Sequence, residues 1–202
     1  MKNVLMAVQP KWLAKILNGE KDVEIRKTIP ECLKNGEPIT VWLYCTKEIS
    51  FEHRLWRSPE HYTNKCYIEA FSHNMFDKKL NGLVVAKCVV EKYDTISYGF
   101  MNDVVGGEVL ETGKPAYYIT NGQIESARIT YYKLLKYGKT KPLYALHLTA
   151  LTVFDKPMEL RQFSNDYDIF DTDVNGRQVN PYEQRIPLTH APSSWMYVEV
   201  GE

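Results

Sequence analysis

The amino-acid sequence predicts an α+β protein, a small closed or nearly closed β-pseudobarrel of mixed strands flanked by short helices. Two observations carry that prediction. Strand-like apolar runs outnumber helical ones, and two of them, 82–96 and 142–155, are long enough to wrap around a shared core. In the first of these, Val85, Cys88 and Val90 reach one core only if the strand bends. No internal repeat and no interdomain linker interrupts the 202 residues, so the chain reads as one domain, 1–202, with insertions at about 47–81 and 161–190.

The elements follow in order. Residues 3–8, "NVLMAV", form a short apolar strand. A helix begins at Pro10, whose missing N–H costs nothing in a first turn. It carries Trp12, Leu13, Ile16 and Leu17 at helical spacing, with Gly19 where a C-terminal cap belongs. The next strand, 22–27, is charged: Val23 and Ile25 alternate with Asp22, Glu24 and Arg26. A turn-prone "KNGEP" leads to the strong strand "ITVWLYCT", 39–46. Residues 47–81 are rich in aromatic and charged side chains without clear periodicity. Residues 97–122 hold five of the eleven glycines and read as loop. One helix is expected over 123–139, with Ile124, Ala127, Tyr131, Leu134 and Leu135 on one face and Gly138 ending it. A polar segment, 161–192, precedes the last strand, 195–200.

Composition narrows the function. Lys plus Arg and Asp plus Glu both number 25, so no global positive field favours bulk nucleic-acid binding. The balance hides a basic run (Lys133, Lys136, Lys139, Lys141) and an acidic one (Asp166, Asp168, Asp171, Asp173). Any anionic ligand is therefore recognised locally. The N-terminal apolar run breaks at Pro10, too early for a signal peptide, and no segment approaches the roughly 20 apolar residues that span a bilayer. Cys32, Cys45, Cys66 and Cys88 lie far apart with no C-x-x-C pair, which speaks against a zinc cluster or a disulfide scaffold. Cys45 and Cys88 read as buried thiols, and the expected setting is cytoplasmic and reduced, without membrane contact.

Strand, short helix, G-x-K-x-x-E-x-R and an apolar strand together resemble an ASCH domain, a family of the PUA-like superfamily. Gly19, Lys21, Glu24 and Arg26 carry the motif, preceded by "VQPKWLAKILNGE" and followed by "VWLYCT". The segments "GLVVAKCVVEKYDTI", "LYALHLTALTVF", "KPMELRQF" and "PSSWMYVEV" fit the rest of the family pattern, so the resemblance covers most of the chain outside 47–81 and 161–190. It is similar to ASCH proteins common in bacteria and their phages. The resemblance implies a PUA-like pseudobarrel with a cleft beside the helix, and a ligand that is RNA or nucleotide-like. No cofactor is expected. Some small relatives hydrolyse acetylcytidine with a lysine and a threonine of this motif and a later glutamate, and one relative is a ribonuclease. Here Lys21 holds the lysine position but Glu24 stands in place of the threonine, which removes the hydroxyl nucleophile. The later acid has no clear counterpart beyond Glu91.

On an extended strand Glu24 and Arg26 point the same way, about 7 Å apart. A carboxylate beside a guanidinium offers an acceptor and a rigid donor fork, suited to a base edge or a phosphate. Lys21 adds a mobile charge at the helix-to-strand turn. Trp42 and Tyr44 share one face of the next strand, either as core or with one ring as a stacking wall. An internal salt bridge bracing the barrel is the alternative role for Glu24 and Arg26. With the resemblance, the charged strand reads as the wall of a polar cleft with Lys21, Glu24, Arg26, Tyr44 and His147 as ligand-binding residues. Lys21 and Glu24 are the acid/base groups if the protein is instead a hydrolase. His147 sits on a long apolar strand as a hydrogen-bonded core histidine, or faces the cleft as its equivalent does in relatives.

Other signals are weaker. "DTDVNG" at 171–176 begins like a calcium loop, but the twelfth position is Tyr182 and Pro181 blocks the exiting helix, leaving an Asn-Gly turn. His53, His61, Cys66 and His73 match no standard zinc spacing, so no metal site is expected. The basic run at 133–141 suits the solvated face and C-terminus of a helix, or a rim that guides RNA phosphates.

Overall fold

A computed structural model describes residues 1–47, 53–59, 65–100, 103–105, 108–110, 115–165 and 187–201. The acidic run at 166–173, the calcium-like 171–176 segment and His61 lie outside the described residues. The protein is α+β, with several sheets and short helices, and the chain forms two compact units. Met1–Asn18, Ile39–Val89 and Ala150–Glu202 form the first, and Gly19–Pro38 with Val90–Thr149 form the second.

The first unit is built on a six-stranded mixed sheet. Its strands, in spatial order, are Thr149–Glu159, Leu83–Val90, Ile39–Cys45, Lys2–Val8, Trp195–Val200 and Phe163–Asn165. Lys2–Val8 runs parallel to Ile39–Cys45 and antiparallel to Trp195–Val200. The parallel pairing needs a crossover, and Pro10–Leu17 provides its helix, with Pro10 in the first turn as expected. Leu5, Ala7, Tyr44, Val84, Phe163, Leu188 and Val198 form the core on one side of this sheet. Val85, Cys88 and Val90 are all buried without the expected bend: Leu83–Val90 is one strand with buried residues on both faces, and the 82–96 run breaks only after it, at Glu91–Lys92, before Tyr93–Ile96. Cys45 and Cys88 are buried thiols, as are Cys32 and Cys66.

Three expectations are corrected. The 47–81 region contains a small antiparallel sheet, Cys66–Glu69, Arg54–Arg57 and Lys78–Lys79, anchored where Asn18 exchanges two 2.9 Å hydrogen bonds with the Cys66 backbone. Its strands are too short for periodicity to appear in the sequence. Residues 97–122 likewise carry paired short strands, Tyr98–Phe100 with Pro115–Tyr117 and Asp103–Val105 with Glu108–Leu110. The helix expected at 123–139 is two helices, Asn121–Ala127 and Tyr131–Gly138. Arg128 turns left-handed (φ 50°) to end the first, and the Thr130 side chain accepts from Lys133 N–H to cap the second. The apolar positions keep helical spacing across the break because both helices face the same core.

The second unit is a three-stranded antiparallel sheet, Val23–Arg26, Leu143–His147 and Tyr93–Ile96, with Leu143–His147 in the middle. Val23, Ile25, Ile96, Leu143 and Ala145 meet Ala127, Leu134 and Tyr117 in one apolar core. The long run 142–155 is thereby divided: Leu143–His147 serves this sheet and Thr149–Glu159 the six-stranded one, with Ala150 left-handed (φ 48°) near the start of the second strand. Gly138 has a packing reason beyond its place at a helix end. A Cβ there would fall inside the Tyr117 phenol, whose hydroxyl donates to Lys141 O at 2.7 Å.

Candidate functional site

The motif residues converge within the second unit. Val23 and Ile25 enter its core, so by strand parity Glu24 and Arg26 project from the opposite face. Glu24 lies between two cations: Lys21 Nζ stands 3.2 Å from one carboxylate oxygen and Arg26 Nε 3.1 Å from the other. The Arg26 contact is an ion pair rather than an aligned hydrogen bond. Lys21 also donates to Val23 O and, at 3.0 Å, to Ala127 O.

The Ala127 contact gives Lys21 a structural task. Helix Asn121–Ala127 leaves its last carbonyls without helical donors, and cations are favoured at that end. Lys21 takes Ala127 O, Asp22 N–H takes Ser126 O at 3.3 Å, and Arg128 Nε reaches back to Glu20 O at 2.7 Å. The motif loop thus fastens the helix to the edge strand.

All three charged groups are buried, at 5% exposure for Lys21 and 7% for Glu24 and Arg26. This corrects the expectation that Glu24 and Arg26 line an open cleft: every residue of Val23–Arg26 is buried, on both faces. Charges at that depth persist only when paired, and this triad is paired. Tyr44 is corrected as well. It is a 3% exposed core residue of the first unit, packed with Leu5, Ala7, Val84 and Phe163, and burial raises its hydroxyl pKa. Trp42 packs against Phe154 and Phe163, so the shared face of that strand is core and carries no stacking wall.

His147 is half-exposed and hydrogen-bonded. Its Nε2 lies 2.8 Å from Asp94 Oδ2, which also accepts from Gln123 Nε2 at 2.9 Å. The His147 bond, then the Gln123 bond, hold the Asp94 carboxyl below its usual pKa against the opposing effect of burial. Gln123 is fixed in turn by a capping box with Thr120. Glu91 is exposed and outside any strand.

Sequence reasoning missed two aromatic contributions. Leu146 pairs with Glu24 on one side and Tyr93 on the other, while Tyr144 pairs with Arg26 and Thr95. Tyr93, Tyr144, Glu24 and Arg26 therefore share the sheet face opposite the apolar core. The two tyrosine rings are half-buried and meet edge to face at 5.8 Å. Nearby, Lys34 has its pKa raised, first by its 2.7 Å bond to Glu31 and then by the Tyr144 and Tyr93 hydroxyls. Tyr137, from the second helix, has its pKa raised by burial, with Arg26 and Glu24 both close enough to act on it. The alternation in "KYDTI" and "PLYALH" was the available signal for the tyrosine pair, but it does not reveal which strands are neighbours.

No protein-family model matches the chain, and no curated protein does. Solved structures of ASCH from Zymomonas mobilis, the family that the sequence resembles, are similar to it. One aligns at 15% identity and a TM-score of 0.46, covering 98% of this chain and 88% of that one. A mutant of that protein aligns at 14% identity and a TM-score of 0.48, covering 98% and 89%.

Proposed function

We propose that the second unit binds RNA or a nucleotide-like ligand on the sheet face that carries Tyr93, Tyr144, Glu24 and Arg26. The observation that supports this best is the cross-strand register, which sets two half-buried tyrosines beside a fixed guanidinium–carboxylate pair. Stacking on an aromatic ring suits any nucleobase, because every base has a π-face. Lys34, exposed and paired with Glu31, is a cation that a phosphate competes for. Glu24 and Arg26, buried on the same face, are a fixed pair of charges beside the rings.

Binding is favoured over hydrolysis by the state of Glu24. Glu24 is buried with a cation against each oxygen, so water and substrate have little access to it as a general base. The position also lacks a hydroxyl nucleophile.

The test is a titration of cytidine and adenosine monophosphates into wild type, Tyr93→Ala and Tyr144→Ala, followed by NMR shifts. Losing the stacking ring should weaken binding about 5- to 150-fold. Equal affinity in all three proteins refutes the assignment of the face. In parallel, the protein is incubated with acetylcytidine, and no cytidine release is expected. Release that is lost in both Lys21→Ala and Glu24→Gln would replace the binding reading with the hydrolase one.

A further inference from the structure

From Ser126 to Thr149 the chain carries Arg128, Lys133, Lys136, Lys139 and Lys141 but no Asp or Glu, although acids and bases number 25 each overall. Helix Tyr131–Gly138 lies inside this stretch. Leu134 and Gly138 are buried and Leu135 is half-buried, while Tyr132, Lys133, Lys136 and Tyr137 are exposed. Those four fall at i, i+1, i+4 and i+5, one stripe along the outer face, with each tyrosine one turn from a lysine. Tyr132 is 73% exposed, far more than a packing role requires, and Tyr137 is 37% exposed with Lys27 Nζ 4.7 Å from its ring centroid.

An ordinary solvated helix face mixes acids with its lysines, because opposite charges one turn apart stabilise it and like charges repel. This face carries lysines and no acid of its own. A polyanion that lies along it meets a row of positive charges, and the tyrosines add rings on which bases stack. A bilayer suits the face poorly, since the helix turns Leu134 and Leu135 inward and leaves no apolar stripe to insert.

Resting on the nucleic-acid reading of this unit, we propose that the outer face of helix Tyr131–Gly138 is a docking surface for single-stranded RNA. Lys133, Lys136 and Lys139 meet its phosphates and Tyr132 stacks on a base. The face extends recognition beyond a single nucleotide, and Tyr137, beside Arg26 and Glu24, connects it to the strand that carries the motif.

A fluorescein-labelled 12-nucleotide single-stranded RNA is titrated at several salt concentrations against wild type, Tyr132→Ala and Lys133→Gln/Lys136→Gln/Lys139→Gln. Cytidine monophosphate is titrated against the same proteins. The triple variant should reduce the salt slope by about 0.7 for each lysine removed, roughly 2 in total, and Tyr132→Ala should weaken RNA binding about 5- to 150-fold. Mononucleotide affinity should not change. Loss of mononucleotide binding in wild type with these RNA effects intact would sink the Tyr93–Tyr144 reading and leave the helix surface standing. RNA affinity and slope equal to wild type in both variants overturn the helix surface. So does the absence of RNA binding by wild type, whether or not the protein binds acidic peptides or phosphatidylserine vesicles.

Discussion

Glu24→Gln isolates the charge of the motif's central residue while keeping its shape. Glu24 Oε1 and Oε2 lie 3.1 and 3.2 Å from Arg26 and Lys21, with side-chain exposures of 10%, 8% and 4% for Glu24, Arg26 and Lys21. At an effective dielectric near 20, each contact is worth about 5 kcal/mol of attraction. Most of that is cancelled by removing three charges from water. Taking away the shared anion, however, leaves two buried cations facing a neutral amide, and a loss of roughly 3–5 kcal/mol follows. For a urea slope of about 2 kcal/mol/M, the midpoint should fall by roughly 2 M. The probe must report the correct unit. Trp12, Trp42, Trp56 and Trp195 all belong to the first unit, so tryptophan fluorescence can miss the event. Far-UV circular dichroism and amide exchange of Leu143–His147 follow the second unit directly. A Lys21→Met partner completes a double-mutant cycle, and the double variant should recover part of the loss, with a coupling of about 1–3 kcal/mol. A loss below about 1 kcal/mol, with no coupling, would mean the charges are screened by water, and the buried-triad account would be wrong.

Gly138→Ala should destabilise the protein by about 1–3 kcal/mol in urea melts, because the new methyl collides with the buried Tyr117 ring; a gain, as helix propensity alone predicts, would contradict that contact. Asp94 has a folded pKa below its unfolded value, so its stabilising contribution is present above about pH 4 and is lost as pH falls through the lower, folded value. Asp94→Asn should therefore flatten the acid limb of a stability–pH curve, and an unaltered limb would count against the His147 and Gln123 bonds. Burial pushes the Cys66 thiol up to about 11, and all four cysteines are buried. Ellman's reagent at pH 8 should label the native protein slowly and all four thiols in urea, whereas rapid native labelling would disprove the burial.

The sequence by itself determined the local elements whose signals are local. Pro10, the spacing of Trp12, Leu13, Ile16 and Leu17, and Gly19 at φ 71° define the first helix and its exit. The alternation of Val23 and Ile25 with Glu24 and Arg26 was enough to put the two charges on one face. A 3.6- or 2-residue period survives in sequence because it depends only on near neighbours. Tertiary structure decided what covers each face. Alternation cannot distinguish a polar face in water from one sealed by pairing, and here Lys21, Glu24 and Arg26 are sealed. Register across strands brought Tyr144 to Arg26, and Tyr93 to the same face, from segments that are remote in the chain. Asp94, Gln123 and His147 likewise meet from two strands and a helix. The break at Arg128 was hidden because both helices pack on one core, so their apolar spacing runs through it. Such long-range pairings are selected by the free energy of the whole packed unit, and no window of neighbouring residues contains it.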